Sequence, residues 1–171
     1  MRRLRYQLAS SLDGYIAGPN GELDWIVIDP DINFSELFGR FDTAVMRRKT
    51  FQAMLAHNAA TMPGLDVVVY SNTLRPPEYP EVTVVSGDPV KHIHSLKAKA
   101  GKDIWLFGGG ALFRTFLEAD AVDTVEPAVV PVLLGSGVPI FPAPYLKTDL
   151  HLTKQRVYEK SGTILLEYSI R

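Results

Sequence analysis

The sequence contains no cysteine, which excludes disulfides, thiol nucleophiles and thiolate metal sites. It also lacks a charge imbalance: 18 basic residues stand against 19 acidic ones, for a formal net charge of −1. Polyanion binders usually carry a strongly basic face, so nucleic acid is not an expected partner. No apolar run reaches the length of a signal-peptide core or a membrane span. The basic opening Met1-Arg2-Arg3-Leu4-Arg5 leads instead into a short mixed run. A cytoplasmic protein without a membrane partner is therefore expected. Internal repeats, linkers and low-complexity segments are missing too. Hydrophobic residues make up 46% and charged residues 22% of the 171 positions, which fits one globular domain over residues 1–171.

What is present reads as alternating strands and helices. Residues 4–10 alternate Leu4, Tyr6 and Leu8 against Arg5 and Gln7, a strand pattern, and a turn-rich loop follows to about Trp25. Asn33 with Glu36 resembles a capping box ahead of Phe34, Leu37, Phe38 and Phe41 at helical spacing. Residues 42–46 are a candidate strand leading into Arg47-Arg48-Lys49-Thr50 and a second helix. The β-branched run 65–71 predicts a buried strand, and 82–86 another. Asp88-Pro89 is an N-cap with a first-turn proline, opening a helix through residue 100. Residues 103–107 form a strand, Gly108-Gly109-Gly110 a tight turn, and 111–119 a helix buried through Leu112, Phe113, Phe116 and Leu117. Residues 122–132 are strand-like, though interrupted by Pro127 and Pro131. Residues 150–158 and 163–170 alternate like a terminal hairpin. Strand–helix alternation with an all-strand tail predicts a mainly parallel sheet finished by antiparallel edge strands.

Three strand ends carry groups suited to phosphate. Glycines between a buried strand and a helix present backbone N–H groups at the positive end of the helix dipole, with no Cβ in the way. A turn that merely needs positive φ is the alternative. Gly108-Gly109-Gly110 lacks the third spaced glycine of a Rossmann fingerprint and the lysine of a P-loop. Arg47-Arg48-Lys49-Thr50 places cations at a helix start, where they are electrostatically unfavourable unless an anion compensates; a solvated charge run is the alternative. Ser71-Asn72-Thr73, followed by Arg75, stands just past a buried strand, where it either caps a turn or meets a ligand. Jointly they suggest one extended dinucleotide crossing the sheet edge.

Four stretches in order along the chain carry a resemblance: residues 9–17 (ASSLDGYIA), Arg48-Lys49-Thr50, residues 103–110 (DIWLFGGG) and residues 129–135 (VVPVLLG). With these the chain resembles the dihydrofolate-reductase-like family that includes the reductase domain of the bifunctional riboflavin-biosynthesis deaminase-reductase. The resemblance implies a three-layer α/β/α sandwich, NADPH as cofactor, and hydride transfer to a small heterocyclic or sugar-derived substrate. The activity it most favours is 5-amino-6-(5-phosphoribosylamino)uracil reductase. It also implies roles. Ala9 would offer backbone to the nicotinamide carboxamide and Ile16 would flank the ring. Arg48, with Ser71 and the neighbouring Lys49, would hold the 2′-phosphate. Thr50, Gly109 and Gly110 would bind the pyrophosphate, and Gly108, Ala111 and Leu112 beside them would also be cofactor-binding. Asp13 and Trp25 would border the substrate, Asp13 as the candidate catalytic residue; an ordinary Asp-Gly turn is its other reading. Two departures stand out. Arg47 occupies a position that is usually glycine, and Glu126-Pro127-Ala128 replaces a more strand-like stretch that often includes histidine.

Two other functions remain open: a true folate reductase and a nucleotide-binding protein without turnover. The first needs a buried carboxylate facing the nicotinamide. Asp31 lies in the right region, but Asn33 is the better cap and puts Asp31 in a polar turn. A metal site is not expected, since His92 and His94 are two apart on a helix and cannot share a face; the histidines read as surface groups. Apolar alternation in the last strands and the proline-rich 138–145 segment suggest a homodimer surface, and the family often dimerises.

Overall fold

A computed structural model describes residues 1–144 and 146–171; Tyr145, the last residue of the proline-rich segment, lies outside the described residues. The strands are β1 Leu4–Ser11, β2 Tyr15–Ala17, β3 Phe41–Arg47, β4 Asp66–Tyr70, β5 Thr83–Val85, β6 Asp103–Leu106, β7 Thr124–Val130, β8 Val138–Pro139, β9 Leu150–Tyr158 and β10 Thr163–Ile170. The helices are α1 Phe34–Phe38, α2 Arg48–Ala56, α3 Pro89–Ala98 and α4 Gly110–Glu118. Eight strands form one sheet in the order β5-β4-β3-β6-β1-β7-β10-β9, and β2 pairs with β8 apart from it. The strands from β5 to β7 are mutually parallel, and β10 and β9 join as an antiparallel hairpin. This is the α/β/α sandwich that the sequence predicts.

Period-two alternation builds the two faces. On β4, Val68 and Tyr70 point to one side and Val67 and Val69 to the other. On β6, Ile104 and Leu106 oppose Trp105. The first face packs on α3 through Ile93 and Leu96 and on α4 through Leu112, Phe113 and Phe116. The second packs on α2 through Phe51 and on α1 through Phe38. Local caps set two of the helix starts: Asn33 accepts from the Glu36 amide, and Asp88 from those of Val90 and Lys91.

Pro127 does not interrupt β7. It pairs with Leu8 of β1 on one side. On the other, the ladder to β10 pairs Val129 and Ala128, then resumes at Val125 and Thr124, skipping Glu126 and Pro127. A proline has no N–H to give a ladder, and bonds on either side of the gap hold the strand. The polar residues of β1 are another departure from simple alternation: Arg5 and Gln7 are buried, because α1 and the terminal hairpin cover that face.

Candidate functional site

Strands β4, β3, β6 and β1 are neighbours, and their carboxyl ends meet at one edge. From β3 the chain leaves through α2 to β4, outward on one side; from β6 it leaves through α4 to β7, on the other. The direction of winding therefore reverses between β3 and β6. Such a switch point opens a crevice at the strand ends, where ligands of open α/β sheets bind. Both α2 and α4 begin there.

The two helix starts touch. Gly108 and Gly109 have φ of +68° and +76°, the left-handed region that favours glycine. A Cβ on Gly108 would stand 3.0 Å from Thr50 Cγ2, and one on Gly109 would stand 3.5 Å from Thr50 Oγ1. The Thr50 hydroxyl is thus set against the glycine turn. Unlike α1 and α3, neither α2 nor α4 has a side-chain cap, so no N-cap side chain accepts from the first-turn amides at this edge. Arg48 and Lys49 are exposed and form no ion pair with a described residue. The arrangement offers amides, a hydroxyl and cations to an anion.

The remaining predicted residues separate into those at this edge and those elsewhere. Ala9 lies near the end of β1, paired with Ala128, and Ile16 on β2 packs against the first core cluster. Ser71 follows β4; its Oγ accepts from the Thr73 and Leu74 amides, so it caps its own turn while remaining at the edge. Ala111 is exposed on the first turn of α4. Gly110 is buried beneath the 140–142 segment, where a Cβ would meet Pro142 Cδ at 2.5 Å. Its missing side chain makes room for packing. Leu112 is a correction. Its side chain is fully buried in the core and its amide bonds to Gly109 O at 2.9 Å, so neither faces the crevice. Trp25 is half-buried in the loop after β2, its indole N–H donating to Glu22 O.

Asp13 is exposed yet fully engaged. Its carboxylate accepts from Ser11 Oγ at 2.6 Å and from the Leu134 and Gly135 amides at 3.1 and 2.7 Å. The Ser11 hydroxyl, then the Gly135 amide, hold its carboxyl below the ordinary value. The contacts tie residues 134–135 to the mouth of β1. Asp31 is exposed and paired with Lys160 at 2.8 Å, so it is not a buried carboxylate. The buried neighbour is Asp29, which accepts from the Asp31 and Ser161 amides.

The sequence reading missed a charged cluster on the α1 face. Glu126, 1% exposed, is paired with Arg5 at 2.8 Å and with Arg40. Arg5 also meets Asp103 at 2.6 Å, and Glu167 lies within 3.6 Å of both arginines. Burial works against the Arg5 charge, but the bonds to Glu126 and Asp103 outweigh it and raise its pKa. The cluster floors a cavity of about 310 Å³ between α1 and the β9–β10 hairpin. His92 is another correction to the reading of surface histidines: its Nδ1 lies 2.9 Å from Tyr70 Oη, and burial, with nearby Lys99, lowers its pKa. A larger cavity, about 550 Å³ and mostly apolar, lies between α4 and residues 141–144 and 146–150.

A model of the RibD C-terminal domain matches residues 2–166. The chain belongs to the RibD C-terminal domain family. Among relatives, YyaP of Bacillus subtilis (strain 168) is 32% identical, with 98% of this chain and 94% of YyaP covered. A proposed riboflavin-biosynthesis protein from Shewanella sp. PV-4 is 30% identical, covers 100% of this chain and 99% of its own, and superposes with a TM-score of 0.84. Dihydrofolate reductase from Enterococcus faecalis, complexed with NADP(H) and RAB-propyl, shares the fold at 19% identity, a TM-score of 0.72 and coverage of 99% and 96%. Membership in the RibD C-terminal family agrees with the resemblance carried by residues 9–17, 48–50, 103–110 and 129–135. No described helix is long and apolar enough to cross a membrane.

Proposed function

We propose that the protein is an NADPH-dependent reductase that passes hydride to a small heterocyclic or sugar-derived substrate. One observation carries this reading: the uncapped starts of α2 and α4 meet at a topological switch point, with Thr50 against Gly108 and Gly109. That is a phosphate cradle in the middle of a sheet edge. Gly108, Gly109, Thr50 and the Ala111 amide would hold the pyrophosphate. Arg48, Lys49 and Ser71 would hold the adenosine end, and Ala9 and Ile16 the nicotinamide. The cofactor supplies the hydride when bound; the chain orients it and excludes water.

The acceptor binds on the α1 face of the sheet, beside β1. Asp13 acts there by holding residues 134–135 at the mouth of β1, since a carboxylate already accepting from three donors and held ionised is a poor proton shuttle. One fold relative is a diaminohydroxyphosphoribosylaminopyrimidine deaminase/5-amino-6-(5-phosphoribosylamino)uracil reductase from Thermotoga maritima, and an aminopyrimidine of that class is the first substrate to try. A folate-reductase reading is disfavoured. Asp31 is exposed and Lys160-paired, the buried Asp29 already accepts from the Asp31 and Ser161 amides, and the buried Glu126 is held between two arginines. Two copies of the chain associate through the apolar face of β9 and β10.

The deciding experiment follows NADPH absorbance with candidate aminopyrimidines and dihydropterins and identifies products by mass. Oxidation coupled to a product two mass units heavier than the acceptor supports the reading. Tight NADPH binding with no turnover on any acceptor points to the non-catalytic binder, and absence of NADPH binding overturns the proposal.

A further inference from the structure

We propose that Arg47 is a second cofactor-binding cation, gripping the pyrophosphate rather than the 2′-phosphate; this rests on the dinucleotide reading above. Arg47 ends β3 and is the N-cap residue of α2, with φ −94° and ψ 164°. That is extended backbone which any residue adopts, so the fold does not demand glycine here. Its side chain is exposed yet tethered. Nη2 donates to Thr115 Oγ1 at 3.2 Å, and that hydroxyl donates in turn to Ala111 O at 3.0 Å. Thr115 lies on α4, so the arginine crosses from the head of one helix to the flank of the other. Between those two helices lie Thr50 and the Gly108–Gly109 turn.

The electrostatics of that bridge are incomplete. Arg2, Arg5, Arg40 and Arg114 each meet a carboxylate, whereas Arg47, like Arg3, Arg48, Arg75, Arg156 and Arg171, forms no ion pair with a described residue. Arg47 meets only a neutral hydroxyl and has four N–H groups left. As the N-cap residue of α2 it also stands at a helix start that carries partial positive charge and no capping side chain, directly before the exposed Arg48 and Lys49. A cation held in that position is unfavourable until an anion joins it. A diphosphate supplies two negative charges and oxygens spaced for a guanidinium fork. Arg48 is placed differently, on the first turn of α2; it and Ser71 directly follow the paired residues Arg47 and Tyr70, on the side that would receive the 2′-phosphate. The two arginines therefore divide the cofactor. Arg47 contributes to any dinucleotide, and Arg48 discriminates between them.

The test titrates NADPH, NADH and 2′-AMP against wild type, Arg47→Gly and Arg47→Gln, with thermal melting of the unliganded variants as a folding control. A charge-assisted contact corresponds to about tenfold or more in affinity. Arg47→Gly is expected to weaken NADPH and NADH by the same factor of about ten, leaving 2′-AMP unchanged. Arg47→Gln keeps a donor for Thr115 but no charge, and is expected to lose nearly as much. Full affinity in Arg47→Gln would make Arg47 a tether between β3 and α4 and overturn the proposal. So would a loss confined to NADPH, or no loss in Arg47→Gly. Wild type that binds neither dinucleotide would instead sink the cofactor reading, and this proposal with it.

Discussion

Thr50 stands against Gly108 so closely that a Cβ on the glycine would lie 3.0 Å from Thr50 Cγ2 and 3.4 Å from Oγ1. That contact joins the starts of α2 and α4, and it makes the glycine requirement both steric and conformational, since φ is +68°. Gly108→Ala is expected to destabilise the fold by about 1–2 kcal/mol from the left-handed backbone alone, measured by urea denaturation. Pushing Thr50 out of the cradle should also weaken NADPH by more than the stability loss accounts for. A variant that keeps full cofactor affinity would detach the glycine turn from the binding site.

Arg48 predicts cofactor choice. NADPH and NADH differ by one phosphate, and a charge-assisted hydrogen bond contributes about 1.5–3 kcal/mol, or about ten- to a hundredfold in affinity. Arg48→Ala should weaken NADPH by that factor and leave NADH nearly untouched, with the wild-type preference shrinking as salt rises. Calorimetric titration of both cofactors at two ionic strengths checks it; equal weakening of both would move Arg48 off the 2′-phosphate.

Asp13 carries a pH prediction. Its carboxyl is held below the ordinary value by the Ser11 hydroxyl and the Gly135 and Leu134 amides. A depressed carboxyl stabilises the folded arrangement above the unfolded pKa, near 4, and that contribution is lost as pH falls through the lower, folded value. The clamp on residues 134–135 is therefore intact at neutral pH and releases only in acid. Asp13→Asn turns one acceptor oxygen into a donor facing backbone N–H groups, so it should lower kcat well beyond its effect on cofactor affinity at every pH. An unchanged kcat in Asp13→Asn would leave the residue a turn former.

Asn33 and Asp88 were readable as caps because each works within three residues of itself, and the glycine turn was readable because one strand end and one helix start contain it. Pro127 misled for a tertiary reason: bonds on both flanks keep β7 straight across a residue that donates none. The Arg5–Glu126 pair joins residues 121 apart in sequence. Each alone looks like an ordinary polar position of an alternating strand, and only the covering by α1 and the hairpin makes them buried partners. Leu112 shows the opposite limit: its place beside the glycines suggested a ligand contact, while the helical period turns it into the core.

Glu126 should be among the most sensitive positions for stability. Removing one member of a buried ion pair costs about 3–5 kcal/mol, because the partners stay buried and uncompensated. Glu126→Gln leaves Arg5 with Asp103 and Glu167 but takes the main carboxylate from Arg40. A loss near the lower end of that range is expected by chemical denaturation, with NADPH affinity of the folded fraction unchanged. A loss under about 1 kcal/mol, the size of an exposed pair, would show that water reaches the cluster.

The hairpin predicts how two copies meet. Its register pairs Val157 with Ile164, Gln155 with Leu166, Leu152 with Tyr168 and Leu150 with Ile170 on one face, and none of these eight residues is charged. Val157 is 58% exposed, Leu152 43% and Ile164 37%. The opposite face carries Arg156 over Tyr158, and Lys154 across from Glu167. β9 is also an edge strand with an open ladder, so two modes of association compete. Pairing β9 edge to edge about a two-fold axis would bring Lys154 and Arg156 of both copies together, and lysine on an edge strand is a common means of blocking such pairing. Packing the uncharged faces together meets no such penalty and removes exposed apolar side chains from water. The face-to-face arrangement is therefore expected. Sedimentation at micromolar concentration should give a dimer for wild type, a monomer for Ile164→Lys, and still a dimer for Lys154→Glu. A dimer that survives Ile164→Lys but responds to Lys154→Glu would place the contact on the edge, and a monomeric wild type would leave the apolar face without a second copy.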